Sequence, residues 1–360
     1  MRSPGRSSLR ITFLCPHLRI AGGVRAILTY ADRLAARGHD VEVVVPAGGV
    51  ARAAWRQWRG AGPAWMPRMR ARVRWVDAWR GDDLRDGDAV VATAWPSAPA
   101  VAEAPARCGG KCYLVQHYES LYHGEPATVD ATYRLPLHQI VISTWLGDIM
   151  RECFASEAEV LVTPVDPDLF HRERVDVKTS RPRVLMLQHD YAWKGVAEGL
   201  AAVRRARGRV PSLVLVGFGV RPPRRGERYD EFHANPPQAT LAALYSGCDI
   251  YLCPSWDEGL GMPSMEAMAC GTALVTFDNG GSRDYARDEE TALVAPRRDV
   301  DGLAQKLARA AGDGALRARI AAAGSAFVTT AFAWETAVSR METLFARWRA
   351  GAGVSRSAGG

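Results

Sequence analysis

No apolar run in this 360-residue chain approaches the roughly 20 residues needed to cross a bilayer, so nothing in it reads as a membrane span. The basic opening, residues 1–10, passes directly into a short strand-like segment and lacks the apolar core and small-residue cleavage site of an export signal. Cysteine is sparse and unpatterned: Cys15, Cys108, Cys112, Cys153, Cys248, Cys253 and Cys270 are odd in number and mostly embedded in apolar runs. That argues against a disulfide framework and fits buried thiols in a reducing compartment, so the expected location is cytoplasmic. Cys108 and Cys112 stand close together, but no second pair or histidine set follows at zinc-site spacing, and no metal is expected. Nor does a recognisable nucleic-acid module accompany the basic residues.

What is present is the composition of a globular protein, 48% hydrophobic and 24% charged, in a chain too long for one comfortable core. Two domains are expected, and two domains imply a cleft. The formal charge of +7 attracts anions, whether nucleotide phosphates, nucleic acid or acidic lipid, without choosing among them. Ile11 to Cys15 reads as a buried strand, Val24 to Arg37 as an amphipathic helix with Ile27, Leu28, Ala31 and Leu34 on one face, and Val41 to Val45 as a second strand. Further strands are expected at Ala89 to Ala92, Lys111 to Val115 and Gln139 to Ser143. The same pattern restarts at Arg183 to Leu187, with helices from Val196, Thr240, Pro263 and Val300 alternating with strands at Leu213, Ile250 and Ala273. Alternation of this kind predicts doubly wound α/β domains with parallel sheets. Phe327 to Arg349 reads as one closing helix, and residues 351–360 as a disordered tail.

The segment richest in chemistry is Pro254 to Gly271, PSWDEGLGMPSMEAMACG. It leaves a strand through Glu258, Gly259, Leu260 and Gly261 and enters a helix at Met262 and Pro263, a start that suits proline. A helix N-terminus offers unpaired N–H groups, and glycines let a phosphate approach the backbone, so the loop is an anion cradle with an acid on each side. Taken singly, Glu258 reads equally as a solvated loop acid and Glu266 as a first-turn complement to the helix dipole.

Glu258 and Glu266 stand at the E-x7-E spacing, and the segment resembles the signature of retaining glycosyltransferases of family 4, which have the GT-B fold. The resemblance covers almost the whole chain. Residues 22–46 look like the family's first unit, VDPDLF at 165–170 like its interdomain stretch, and Trp193–Lys194–Gly195 like its phosphate-contacting lysine segment. It implies two Rossmann-like domains facing across a cleft: residues 1–175 for the acceptor, 176–330 for the donor, and a helix over 331–350 packing back toward the first. It further implies a nucleotide-sugar donor with Glu266 on the ribose, Glu258 on the sugar, Lys194 on the diphosphate and the backbone of Gly259 to Met262 on sugar and phosphates. Base recognition is implied near Phe232 to Asn235, mostly through backbone. His117, at the end of a strand in VQHYES, resembles the family's cleft histidine; a lone histidine is otherwise usually structural. Gly22 and Gly23 resemble its glycine loop over the diphosphate; elsewhere they would be an ordinary tight turn. No metal or cofactor is implied, since a lysine and backbone donors can stabilise the departing diphosphate.

One departure stands out. Where the family has an arginine six residues before the lysine, this chain has Gln188, a hydrogen-bonding but uncharged donor-site residue, and His189, Arg221 and Arg25 are candidate substitutes. HDYAWKG and QHYES also resemble the rhamnosyltransferase branch, which would favour a dTDP-linked deoxysugar. Between Arg52 and Arg80, five tryptophans (Trp55, Trp58, Trp65, Trp75, Trp79) lie among arginines; either a solvated loop with some buried tryptophans, or a contact with acceptor or anionic membrane, accounts for them. The acceptor is expected to be a glycan, a lipid-linked or a small molecule. Rival readings are a noncatalytic GT-B subunit, a sugar-nucleotide epimerase, and an NAD-dependent oxidoreductase. The last is disfavoured because GFGVRP at 217–222 lacks the third glycine and the following acid of a dinucleotide fingerprint.

Overall fold

A computed structural model describes residues 8–173 and 181–349; the tail expected over 351–360 lies outside the described residues. The chain divides into two compact units: the described residues up to Thr163 together with those from Glu335 onward, and Pro164–Trp334.

The first unit is built on a parallel seven-stranded sheet of β1 (Arg10–Leu14), β2 (Asp40–Pro46), β3 (Arg72–Val76), β4 (Ala89–Ala92), β5 (Gly110–Val115), β6 (His138–Val141) and β7 (Glu159–Val160), in the order β3-β2-β1-β4-β5-β6-β7. Ile11, Phe13, Val43, Val45 and Val91 are fully buried, because helices cover both faces of such a sheet and its central strands are mostly apolar. The helices are α1 (Gly22–Ala36), α2 (Val50–Trp58), α3 (Ala98–Glu103), α4 (Pro126–Tyr133) and α5 (Thr144–Phe154). Helix α1 buries Ile27, Leu28, Ala31 and Leu34, the face its spacing predicts.

The Trp/Arg segment is neither one loop nor one surface. Trp65, Trp75 and Trp79 turn inward and donate their indole N–H groups to the carbonyls of Leu18, Ala61 and Val44. Helix α2 does the reverse: of its residues only Ala53 is buried, while Val50, Trp55 and Trp58 are 73%, 53% and 81% exposed. Its inner side is polar, with Arg56 lying 4.4 Å over the Trp75 ring and Gln57 accepting the Trp75 N–H.

The second unit carries a parallel six-stranded sheet of β8 (Arg183–Leu187), β9 (Val214–Gly219), β10 (Glu231–Ala234), β11 (Ile250–Cys253), β12 (Ala273–Phe277) and β13 (Leu293–Ala295), ordered β10-β9-β8-β11-β12-β13. Around it lie α6 (Val196–Arg207), α7 (Gln238–Ser246), α8 (Met262–Ala269), α9 (Val300–Gly312) and α10 (Gly314–Ala331). Val184, Met186, Val203, Leu215, Leu252, Val275, Leu303 and Leu307 form its core. Gly217 and Gly219 lie inside β9 rather than in a strand-to-helix turn, so the GFG segment has no dinucleotide-binding geometry.

In each sheet the chain winds outward in both directions from its first strand, so the loops after β1 and β4 diverge, as do those after β8 and β11. Such switch points leave a crevice at the carboxyl ends of the strands, where ligands of this architecture bind. The closing helix read over Phe327 to Arg349 is broken: Phe332, with φ −123° and ψ 94°, is extended and ends α10. Helix α11 (Trp334–Trp348) then packs on the first unit, where Phe345 meets Phe13 edge-on, Trp348 stacks on His138 at 4.5 Å, and Glu342 accepts from Arg37 at 2.8 Å.

Candidate active site

Lys194 and Glu258 come from the two strands that flank the switch point of the second unit. After β8 the chain makes a single turn, Ala192–Lys194, and Gly195 opens α6 with φ 66°. Only glycine fits there, since a Cβ would stand 1.8 Å from the carbonyl oxygen of Pro254 at the exit of β11. This close approach, together with Trp256 N–H donating to the Trp193 carbonyl at 2.7 Å, brings the two loops together. Lys194 Nζ donates to Glu258 Oε1 at 2.7 Å, the side chains being 19% and 10% exposed. A pair this enclosed has small net worth, but removing one partner strands the other's charge at a cost of about 3 kcal/mol.

The loop carrying Glu258 is braced by the segment that follows β12. Glu258 N–H donates to the Asn279 carbonyl, Gly281 N–H returns to the Glu258 carbonyl at 3.1 Å, and Tyr285 OH donates to the Gly261 carbonyl at 3.3 Å. Gly281 must be glycine, because a Cβ would lie 2.6 Å from Leu260 Cα. The only sequence signal for this brace is the cluster of turn formers, Asn279, Gly280, Gly281 and Ser282, directly after a strand.

Gly261, at φ 88°, is the residue preceding α8, and no side chain caps that helix. The cradle of Gly259, Leu260, Gly261 and Met262 therefore presents uncapped backbone beside the Lys194–Glu258 pair. Glu266 lies in the second turn of α8 rather than the first, is 2% exposed, and accepts from Tyr245 OH at 3.4 Å. Neither acid is a solvated surface group.

Gln188 is 3% exposed and both ends of its amide are engaged: Nε2 donates to Glu227 at 2.8 Å and Oε1 accepts from Tyr229 OH at 2.5 Å. Arg221 and Arg224 both reach Asp190, at 3.0 and 3.2 Å. His189 Nδ1 accepts the Tyr191 N–H at 3.1 Å, and burial, followed by the nearby Lys194 charge, holds the imidazole pKa below its usual 6.5. Trp193 stacks on Tyr191 at 4.1 Å. Strand β10 and Asn235, whose φ is 44°, lie at the sheet edge, with Asn235 N–H bonded to the Gly219 carbonyl.

In the first unit, Gly22 and Gly23 open α1 beyond the end of β1. A Cβ on Gly23 would stand 3.2 Å from the Gln116 side chain, so the structure brings this turn against the loop carrying His117. The His117 ring meets Tyr122 edge-on, and its carbonyl accepts from Tyr133 OH. Glu119, two residues on, anchors the loop: it is half-buried, accepts from Trp95 N–H at 2.9 Å and Tyr113 OH at 3.3 Å, and desolvation pushes its carboxyl up to about 7.

Residues 168–327 match the family described as Glycosyl transferases group 1. The O-antigen biosynthesis protein RfbC of Myxococcus xanthus is 31% identical over 263 residues, 71% of this chain but 20% of that protein, so the chain spans about a fifth of that relative's length. Phosphatidyl-myo-inositol mannosyltransferase of Mycobacterium tuberculosis is 27% identical over 371 residues, 94% of this chain and 96% of the relative. The solved structure of Anabaena Alr3699/HepE in complex with UDP-glucose matches with a TM-score of 0.76 at 15% identity, over 94% of this chain and 100% of that one. Two parallel-sheet Rossmann-like units in succession along the chain give the protein the GT-B fold, and the match of residues 168–327 makes it a glycosyltransferase. The family match falls on residues 168–327, so it is through this part of the chain that the protein resembles the glycosyl transferases of group 1.

Proposed function

We propose that the protein moves a hexose or deoxyhexose from a nucleotide diphosphate sugar to an acceptor, with retention of anomeric configuration and without a metal ion. The observation that carries this reading is the Lys194–Glu258 pair set beside the uncapped N-terminus of α8. Negative charge grows on the diphosphate as the glycosidic bond breaks. Lys194 and the N–H groups of Gly259 to Met262 supply the opposing charge in a preorganised site, the task a divalent ion performs in other transferases. Donor binding swings Lys194 from Glu258 to phosphate and leaves the Glu258 carboxylate for the sugar hydroxyls. Glu266 reaches the ribose, while Gly22, Gly23 and His117 of the first unit serve the diphosphate and the sugar. The acceptor hydroxyl attacks from the face the diphosphate leaves, and the departing phosphate oxygen takes its proton.

A lipid-linked acceptor is favoured by α2. Its outward Val50, Trp55 and Trp58, flanked by Arg52 and Arg59, suit the interface of an anionic membrane on the cytoplasmic side. Among the described residues no helix is long and apolar enough to cross one. Phosphatidyl-myo-inositol mannosyltransferase, by its name, acts on a lipid.

The test is a thermal-shift panel of UDP-, GDP-, ADP- and dTDP-sugars in EDTA, with NAD as control, since a ligand that binds only the folded state raises stability by mass action. Stabilisation by one base is the expected result, and stabilisation by dTDP-sugars alone would support the rhamnosyltransferase branch. No shift by any of them would transfer the reading to a noncatalytic subunit, and turnover without an acceptor would point to epimerisation or hydrolysis.

A further inference from the structure

A bound nucleotide sugar carries a negative charge on each of its phosphates, and in this site Lys194 is already balanced by Glu258. One lysine shared with a carboxylate leaves the diphosphate short of positive charge in a partly enclosed pocket, where an uncompensated charge is costly. Another donor on the same loops would repair the balance. Gln188 brings no charge to the task, and its amide is already held between Glu227 and Tyr229. Arg221 and Arg224 are exposed and drawn to Asp190.

His189 is placed differently. It follows Gln188 at the end of β8, is half-buried, and sets its ring against Tyr191 at 4.6 Å with the planes tilted by 43°. The Tyr191 N–H donates to Nδ1, which in the neutral ring puts the proton on Nε2. Nε2 makes no hydrogen bond among the described residues. The charges that bear on the ring are Lys194 from the same turn, Asp190 beside it, and Glu258 from the loop after β11, with Arg221 and Arg224 reaching Asp190. His189 thus sits within the field of the same two side chains that mark the donor site.

We infer that His189 is a second phosphate-binding residue of this site, donating Nε2–H to the donor diphosphate and taking up a proton on Nδ1 as the donor binds, which breaks the hydrogen bond that Nδ1 accepts from the Tyr191 N–H. In the free protein, burial and Lys194 keep the ring neutral. The incoming diphosphate offsets both by drawing Lys194 to itself and adding negative charge next to the imidazole. Donor affinity then falls as pH rises, because at high pH the proton is no longer supplied.

This inference rests on the reading of Lys194 and its loop as the diphosphate site, and the experiment separates the two. Affinity for the nucleotide sugar giving the largest thermal shift is measured by titration calorimetry from about pH 6 to about pH 8.5, across the range where histidine titrates. The diester phosphates of the ligand do not titrate there, so the slope belongs to the protein. Wild type is compared with His189→Gln, which keeps a neutral donor near the Nε2 position, with His189→Ala, and with Lys194→Gln. The expected result is a loss of about tenfold in wild-type affinity across the range, with an observed enthalpy that varies with buffer ionisation, as proton uptake requires. His189→Gln should be flat with pH and show no uptake, and His189→Ala should be weaker throughout. If both His189 variants keep the wild-type affinity, slope and uptake while Lys194→Gln weakens binding, the inference about His189 falls and the donor site stands. If Lys194→Gln binds as tightly as wild type, or no sugar binds at all, the donor-site reading falls and takes the inference with it.

Discussion

The loops at the switch point of the second unit hold charge: Lys194 against Glu258, on backbone clamped from below by Asn279, Gly281 and Tyr285. The corresponding loops of the first unit hold Gly22, Gly23 and His117, steadied by the half-buried Glu119 and the hydroxyls of Tyr113 and Tyr133. Both sheets are parallel and both reverse at their first strand. Topology therefore fixes where a site can form, while the residues at those strand ends decide its chemistry. An enclosed ion pair beside an uncapped helix suits an anion, whereas the glycines and histidine of the first unit offer backbone and a ring nitrogen in place of a fixed charge.

Removing the charge of the second site should produce the largest effect. Glu258→Ala is expected to cut transfer about a thousandfold, the upper range for losing one preorganised electrostatic partner, while nucleotide affinity stays within a few-fold. Steady-state kinetics and calorimetry measure the two, and turnover within a few-fold of wild type would break the comparison. Next comes the clamp. Gly281→Ala drives a methyl into Leu260 and displaces the Glu258 loop, so kcat should fall about a hundredfold with the far-UV spectrum unchanged.

In the first unit the matching probe is pH. The folded Glu119 carboxyl titrates at about 7 against an ordinary 4.5, so between those values the native chain keeps a proton that the unfolded chain has lost. Stability contributed at low pH is therefore withdrawn as pH rises through that window, about 2 kcal/mol between mildly acidic and mildly alkaline solution. Glu119→Gln should abolish that slope in urea denaturation, and an unchanged slope would mean the carboxyl is ionised in the fold. The smallest expected effect lies on α2, where Trp58→Ser should weaken partitioning to anionic vesicles about tenfold without altering the melting temperature.

The alternation of strands and helices was legible because parallel strands buried on both faces are short apolar runs, and Ile11, Val43, Val184 and Ile250 all sit in such runs. The Lys194 and Glu258 loops were legible for a similar reason: glycines at Gly195 and Gly261 are demanded by local geometry and leave a local trace. Helix α2 was not, since its apolar residues face outward and its inner side is Arg56 and Gln57, an inversion that periodicity alone does not orient. The engagement of Gln188 with Glu227 and Tyr229 also escaped, because partners about forty residues away leave no spacing to read. The break at Phe332 carries neither proline nor glycine within α10's last turn, so nothing in composition announced it.

Helix α11 has a consequence for the order of assembly. Its Phe345 and Trp348 close over Phe13 and His138, and its Glu342 meets Arg37, so this helix covers surfaces of the first unit. The segment from Pro164 to Trp334 is thus an insertion between two parts of one folding unit. On the ribosome, the second unit can complete itself while the first still waits, its apolar flank bare until translation reaches α11. A stalled or truncated chain would then expose that flank to chaperones while carrying a fully formed second unit.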